Sequence, residues 1–156
     1  MVDSYVQVPT DDTGKKLQTF NNTVGGEYTS CDYSRWVGNR WEENQREGSK
    51  FINCAYVSFV ANHHHTNSQA TTNTYDSMVM QSCGEWTITA DQFYNFSGVL
   101  VVCRYCLNID ASCTAIVING NSFSSYGTAP VLNSPAYGNV VFSNCYPRGF
   151  ATADTG

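Results

Sequence analysis

The chain reads as a mainly β protein: an antiparallel sandwich or barrel-like domain behind an extended N-terminal arm, with at most one short helix. Three observations predict this. Short runs rich in Val, Ile, Tyr and Phe recur, separated by Gly, Pro, Asn and Ser turn signals. Charged residues make up only 13% of the chain, with Asn, Ser and Thr in their place, a composition that suits strands and turns better than solvated helices. Aromatics also reach 13%, enough to argue against disorder in a chain of 156 residues, which is the size of one ordinary domain.

Residues 1–25 form the arm and residues 26–156 the β-rich domain, with Gly25-Gly26 as the joint. Within the arm a strand-like patch (Tyr5, Val6, Val8) is stopped by Pro9. Polar and charged residues then follow as far as Lys15 and Lys16, as in a segment that gains order by lying on something else. Thr29 to Gly48 is rich in aromatic and charged residues, and Trp41–Glu47 is the one place for a helical turn or two, ended by Gly48. Strands are expected over Cys54–Val60, Thr74–Ser82, Glu85–Ala90 and Val99–Leu107, the last apolar enough to be central. Thr114–Ile118 leads into Asn119-Gly120, a strong hairpin signal, with Asn121–Ser125 as the return strand. Tyr126–Tyr137 reads as a loop and Val140–Tyr146 as a last strand, before a small polar tail from Ala151. No internal repeat is evident.

The run Val8-Pro9-Thr10-Asp11-Asp12-Thr13-Gly14-Lys15-Lys16 resembles the N-terminal arms of tailed-bacteriophage structural proteins. The resemblance covers about a sixth of the chain. It implies a non-enzymatic virion protein, assembled in the host cytoplasm, whose partners are the major capsid protein or other virion subunits, or further copies of itself. A capsid cement or decoration protein is the first expectation. A tail, neck or head-fibre protein that binds a host glycan is the alternative. The partner-binding residues expected are Tyr5, Val6, Val8, Pro9, Lys15 and Lys16 in the arm. Tyr33, Arg35, Trp36 and Trp41 join them, because Tyr, Trp and Arg are favoured at interface centres.

Other function classes find little support. The formal net charge is −5 and the eight Lys and Arg are scattered, so no basic stripe invites nucleic acid. No run approaches the ~20 apolar residues of a membrane helix, and the start Met1-Val2-Asp3 reads as an uncleaved cytosolic one. Neither a Gly-x-Ser-x-Gly elbow nor a phosphate-binding loop is present, and no catalytic residue, cofactor or metal is assigned. Seven cysteines, an odd number without a secretion pattern, are expected as reduced, apolar-like thiols. Cys103-Arg104-Tyr105-Cys106 has redox or zinc spacing, but on a regular strand residues three apart face opposite ways, so the two thiols are expected apart. His63-His64-His65 reads as a solvated loop, with a pH-sensitive contact as the other reading. Glu42, Glu43 and Glu47 beside Arg46 and Lys50 read as a mutually neutralising face. Glu85 and Asp91 are the nearest approach to an acid pair.

Overall fold

In the computed structural model the chain winds into a solenoid whose coils each contribute one short strand to each of three faces. The structure describes residues 18–94, 102–124, 126–133 and 140–148. Face A stacks β1 (Gln18–Phe20), β4 (Arg40–Glu42), β7 (His63–His65), β10 (Gln92–Tyr94), β13 (Ser122–Ser124) and β16 (Tyr146–Arg148). Face B stacks β2 (Glu27–Thr29), β5 (Ser49–Ile52), β8 (Met78–Gln81), β11 (Cys103–Ile109) and β14 (Tyr126–Asn133). Face C stacks β3 (Arg35–Val37), β6 (Ala55–Val60), β9 (Gly84–Thr89), β12 (Thr114–Asn119) and β15 (Val140–Ser143).

Each pairing between neighbouring strands is parallel. The expected antiparallel sandwich or barrel is therefore incorrect. Parallel strands need a long crossover, and here the crossover is the rest of the coil: two strands and their corners. Whereas β1 to β5, β7, β10 and β14 fall in segments not expected as strands, the strands expected over Cys54–Val60, Glu85–Ala90 and Thr114–Ile118 lie at β6, β9 and β12. Their alternation, normally the mark of an antiparallel sheet with one wet face, arises here because a solenoid leaves the outer face of every parallel strand exposed. On β9, for instance, Trp86 and Ile88 point inward and Thr87 outward.

Asn119-Gly120 is likewise a corner and not a hairpin. Gly120 has φ +66° and passes the chain from face C to face A. The same bend follows the other face C strands at Gly38, Ala61, Ala90 and Asn144, with φ between 51° and 64°. A single left-handed residue turns the chain from one face to the next without pairing the strands it joins. The helical reading of Trp41–Glu47 fails for the same reason: Trp41 lies in β4 and Glu43 (φ 50°) is a corner. The segment expected as a loop after Tyr126 is β14 as far as Asn133. Gly25-Gly26 is a corner of the first coil, since β1 precedes it and Gly25 N–H donates to Glu47 O at 2.9 Å.

An internal repeat does exist. After each corner comes an inward side chain that caps the coil beside it. At the C-to-A corner these are Asn39, Asn62, Asp91 and Asn121, spaced 23, 29 and 30 residues apart. Asn39 N–H and Nδ2 both donate to Asn62 Oδ1, and Asn62 N–H and Nδ2 both donate to Asp91 Oδ1. Asp91 N–H donates to Asn121 Oδ1. Asn62 and Asn121 turn their amides to the Trp36 and Ile88 carbonyls. A second ladder, Asn22–Asn44–Asn67, stands at the A-to-B corner. Cysteines hold the B-to-C corner: Cys31 N–H donates to Cys54 Sγ, and Cys83 N–H to Cys113 Sγ. Such ladders satisfy buried backbone groups that a corner would otherwise orphan.

The interior is aromatic. On face A, Trp41, His64, Phe93 and Phe123 form one stack, with ring centroids 4.6, 4.8 and 5.2 Å apart. Phe51, Phe59 and Trp86 fill the space against it from the other faces. Neighbouring coils approach closely at Gly48. A Cβ there would stand 2.5 Å from Asn67 Nδ2 and 2.7 Å from Ser77 O. Gly48→Ala is therefore expected to destabilise the protein by about 1–3 kcal/mol, the usual cost of overpacking, measured as a lowered urea midpoint. An unchanged midpoint would show that the two coils move apart freely.

Candidate functional site

The outer surface of face B carries a polar groove of about 270 Å³. Its floor is one outward row, Glu27, Lys50, Val79 and Asn108, which the strand register sets side by side across four coils. Its wall is built from the A-to-B corners: Arg46 and Glu47 from the second coil, Asp76 from the third, and Arg104 from the start of β11. The wall is raised at Asp76 because the third coil takes a longer path there. Eleven positions separate Asn67 from Met78, where the coil before needs five from Asn44 to Ser49.

Asp76 is the centre of the wall. It is buried, and its carboxylate accepts from Arg104 Nε at 3.0 Å, Arg104 Nη2 at 2.8 Å, Asn108 Nδ2 at 2.7 Å and Tyr105 N–H at 3.3 Å. Charge-assisted bidentate pairing of this kind fixes a guanidinium in place. Hydrogen bonding to Asp76 also pushes the Arg104 pKa up, so the group stays charged. Arg104 keeps 41% of its side chain exposed, leaving donor capacity toward the groove. Arg46 lies over the Tyr75 ring at 5.0 Å and Arg104 over the Tyr105 ring at 5.1 Å. Lys50 Nζ stands 3.6 Å from Glu27 Oε2. The groove thus offers fixed donors and acceptors of both signs on a rigid sheet. That chemistry suits a ligand rich in hydroxyl groups better than one of strong single charge.

The expected partner-binding residues are scattered. Tyr5, Val6, Val8, Pro9, Lys15 and Lys16 lie outside the described residues. Tyr33 is 80% exposed and stacks on Tyr56, with ring centroids 4.7 Å apart and planes 8° from parallel. Arg35 is exposed on the outer side of β3. Trp36 is half-buried against the core and Trp41 is fully buried.

His63-His64-His65 is a strand, not a solvated loop. His64 stacks between Trp41 and Phe93 and meets Ser49 Oγ at 2.8 Å through Nε2, while burial lowers its pKa to about 3. His65 is buried against Tyr94 with Nδ1 3.8 Å from Glu42 Oε1, and burial lowers its pKa too. Glu85 is exposed on face C whereas Asp91 is inside a corner ladder, so they do not form an acid pair. Cys103 and Cys106 are not separated as expected. Both are buried, and their sulfurs lie 4.0 Å apart. Among the described residues no group of three or more His, Cys, Asp or Glu side chains converges to hold a metal ion.

Sequence reasoning missed the groove because its residues come from four coils. The available signal was the recurrence of Glu27, Lys50, Val79 and Asn108 at the coil spacing. No family model, curated protein or solved structure matches the chain. The fold and the groove together define the class of protein, a three-faced parallel β-solenoid with a polar groove along one face.

Proposed function

We propose that this solenoid is the saccharide-binding part of a phage virion accessory protein, of the tail, neck or head-fibre kind, held to the particle by its N-terminal arm. The groove on face B carries the reading. Glu27, Lys50 and Asn108 present polar groups in one row across the coils, with Arg104 and Gln81 on either side of it, as an extended chain of hydroxyl-bearing units requires. The exposed Tyr33–Tyr56 pair, outside the groove beside face C, is a separate aromatic surface against which a sugar ring could stack. The reading is non-enzymatic. Glycoside hydrolysis uses two carboxylates with distinct roles, whereas Asp76 is tied up by four donors, Glu27 sits against Lys50 and Glu47 against Arg46. Attachment to the virion rests on the resemblance of Val8–Lys16 to phage structural arms.

A glycan array of bacterial surface polysaccharides tests the reading. Saturable binding of a subset of the saccharides is expected, weakened about tenfold by Lys50→Ala, which removes about 1.4 kcal/mol of contact. Absence of binding to every saccharide would remove the groove as a glycan site. Quantitative mass spectrometry of purified particles decides the virion role. A handful of copies per particle fits the accessory reading, and copies near the shell's own stoichiometry favour a cement protein instead. Absence from particles would sink both.

A further inference from the structure

The Cys103–Cys106 pair takes no part in the groove. Its geometry follows from an irregularity in face B. Cys103 is level with Tyr126 but Tyr105 is level with Ala129, so two residues of β11 run beside three of β14. β8 joins β11 only from Leu107 onward. Over this stretch the alternation of β11 breaks: Cys103, Cys106 and Leu107 are buried while Arg104 and Tyr105 are half-buried. The extra residue of this bulge lies on β14, and beside it the break in the alternation of β11 leaves two buried thiols facing each other with 4.0 Å between their sulfurs. Cys83 and Cys113 form a second thiol contact, at the B-to-C corner, and Cys106 Sγ also lies 4.0 Å from Ser124 O; what sets the corner cysteines apart is their shorter approach to carbonyls. Cys54 Sγ lies 3.3 Å from Ile52 O, Cys83 Sγ 3.5 Å from Phe51 O and Cys145 Sγ 3.4 Å from Ser143 O, each serving a backbone carbonyl.

We infer that Cys103 and Cys106 form a redox-active dithiol that a hydroperoxide converts into an intramolecular disulfide beside the bulge. The Cys103 thiolate attacks the peroxide. An S–O bond forms, the O–O bond breaks, and the departing oxygen leaves as water or an alcohol after taking a proton. Cys103 is then a sulfenic acid. Cys106 sulfur attacks Cys103 sulfur; the S–S bond forms, the S–O bond breaks, and the hydroxyl leaves as water with the Cys106 proton. Two thiols have lost two electrons and two protons, and the peroxide has been reduced. Cys103 is the first to react because hydrogen bonds from the Cys106 thiol and the Ser77 hydroxyl lower its pKa, whereas burial holds Cys106 well above the ordinary thiol value. Closing the bond brings the sulfurs to about 2.05 Å. Both thiols are buried, so a small oxidant reaches them through local opening and the reaction is slower than at an exposed thiol.

The full-length protein is treated with hydrogen peroxide under native conditions, alkylated, digested and mapped by mass spectrometry. The expected result is loss of two hydrogens from the intact mass, two fewer alkylatable thiols among the seven cysteines, and a Cys103–Cys106 linkage restored to thiols by dithiothreitol. In Cys106→Ser the linkage is lost and a dimedone adduct accumulates on Cys103. In Cys113→Ser the linkage persists. Oxidation that joins Cys83 to Cys113 while Cys103 and Cys106 remain alkylatable would overturn the assignment. So would stepwise oxygen addition at Cys103 in the unsubstituted protein without any disulfide.

Discussion

Asp91→Asn is expected to stabilise the protein at pH 8 by up to about 4 kcal/mol and to leave it nearly unchanged near pH 4. Asp91 is the one acid in a ladder otherwise made of Asn39, Asn62 and Asn121. Burial raises its pKa from 3.8 to about 7, against the opposing pull of the hydrogen bonds from Asn62. An acid whose folded value lies above its unfolded one stabilises the fold when protonated, and that stability is lost as pH rises through about 7. Asp91 Oδ2 is buried without a partner. An amide there completes the pattern in which Asn62 and Asn121 donate to carbonyls of the preceding coil. His64 acts in the opposite sense. Burial, reinforced by the charge of His63, holds its pKa near 3, so its contribution is full above pH ~6.5 and is lost as pH falls toward 3. Between about pH 4 and 6.5 the two slopes offset each other in the wild type. In Asp91→Asn the slopes of His64 and His65 remain without the opposing one, and the variant loses more stability in acid than the wild type does. Urea midpoints from about pH 4 to about pH 9 check this. Parallel profiles for the two proteins would show that Asp91 is already ionised without penalty.

Trp41→Ala is expected to cost about 3–5 kcal/mol, as large-to-small changes of buried aromatics do. Trp41 is fully buried, stacks on His64, lies 5.6 Å from the Phe59 ring, and donates from Nε1 to Tyr28 Oη at 3.2 Å. Removing it opens the first rung of the face A stack and leaves the Tyr28 hydroxyl without that donor. Because each coil rests on its neighbours, the loss propagates as early protease cleavage near β1 and β4, before the coils around Phe93 and Phe123 open. Limited proteolysis beside urea melts reads both effects. Cleavage beginning instead at the far coils would mean that the stack does not transmit stability along the axis.

The strands were legible in the sequence where alternation is strict, as at Trp86-Thr87-Ile88. Their direction was not, because a wet outer face produces the same pattern in a parallel solenoid as in an antiparallel sheet. The repeat was hidden by drift in its period, 23 residues between Asn39 and Asn62 but 30 between Asp91 and Asn121. It was hidden further by chemistry that changes along each ladder, with Asp91 where its neighbours are Asn. The corners were misread because a left-handed glycine after Asn119 is shared by hairpins and by bends between faces. Of the groove, Arg46, Glu47 and Lys50 were noticed as a neutralising face. Asp76 and Arg104 could join them only once the coils were stacked, since the pair spans 28 positions. The thiol contact at Cys103 and Cys106 was invisible for a different reason: it depends on a break in the alternation of β11 that no local sequence signal announces.

The longer third coil has a consequence for the groove. Its extra residues leave the chain between Asn67 and β8 and return to the same register, Ser49 beside Met78, so neither the ladder nor the aromatic stack registers the insertion. Such a fold separates an invariant ruler from an editable margin. Lengthening, shortening or recharging the stretch around Asp76 would redraw the shape of the groove while the spacing of its floor stays at one strand per coil. A change of length confined to the positions between Asn67 and Met78 therefore alters the groove without moving the register that stacks the coils.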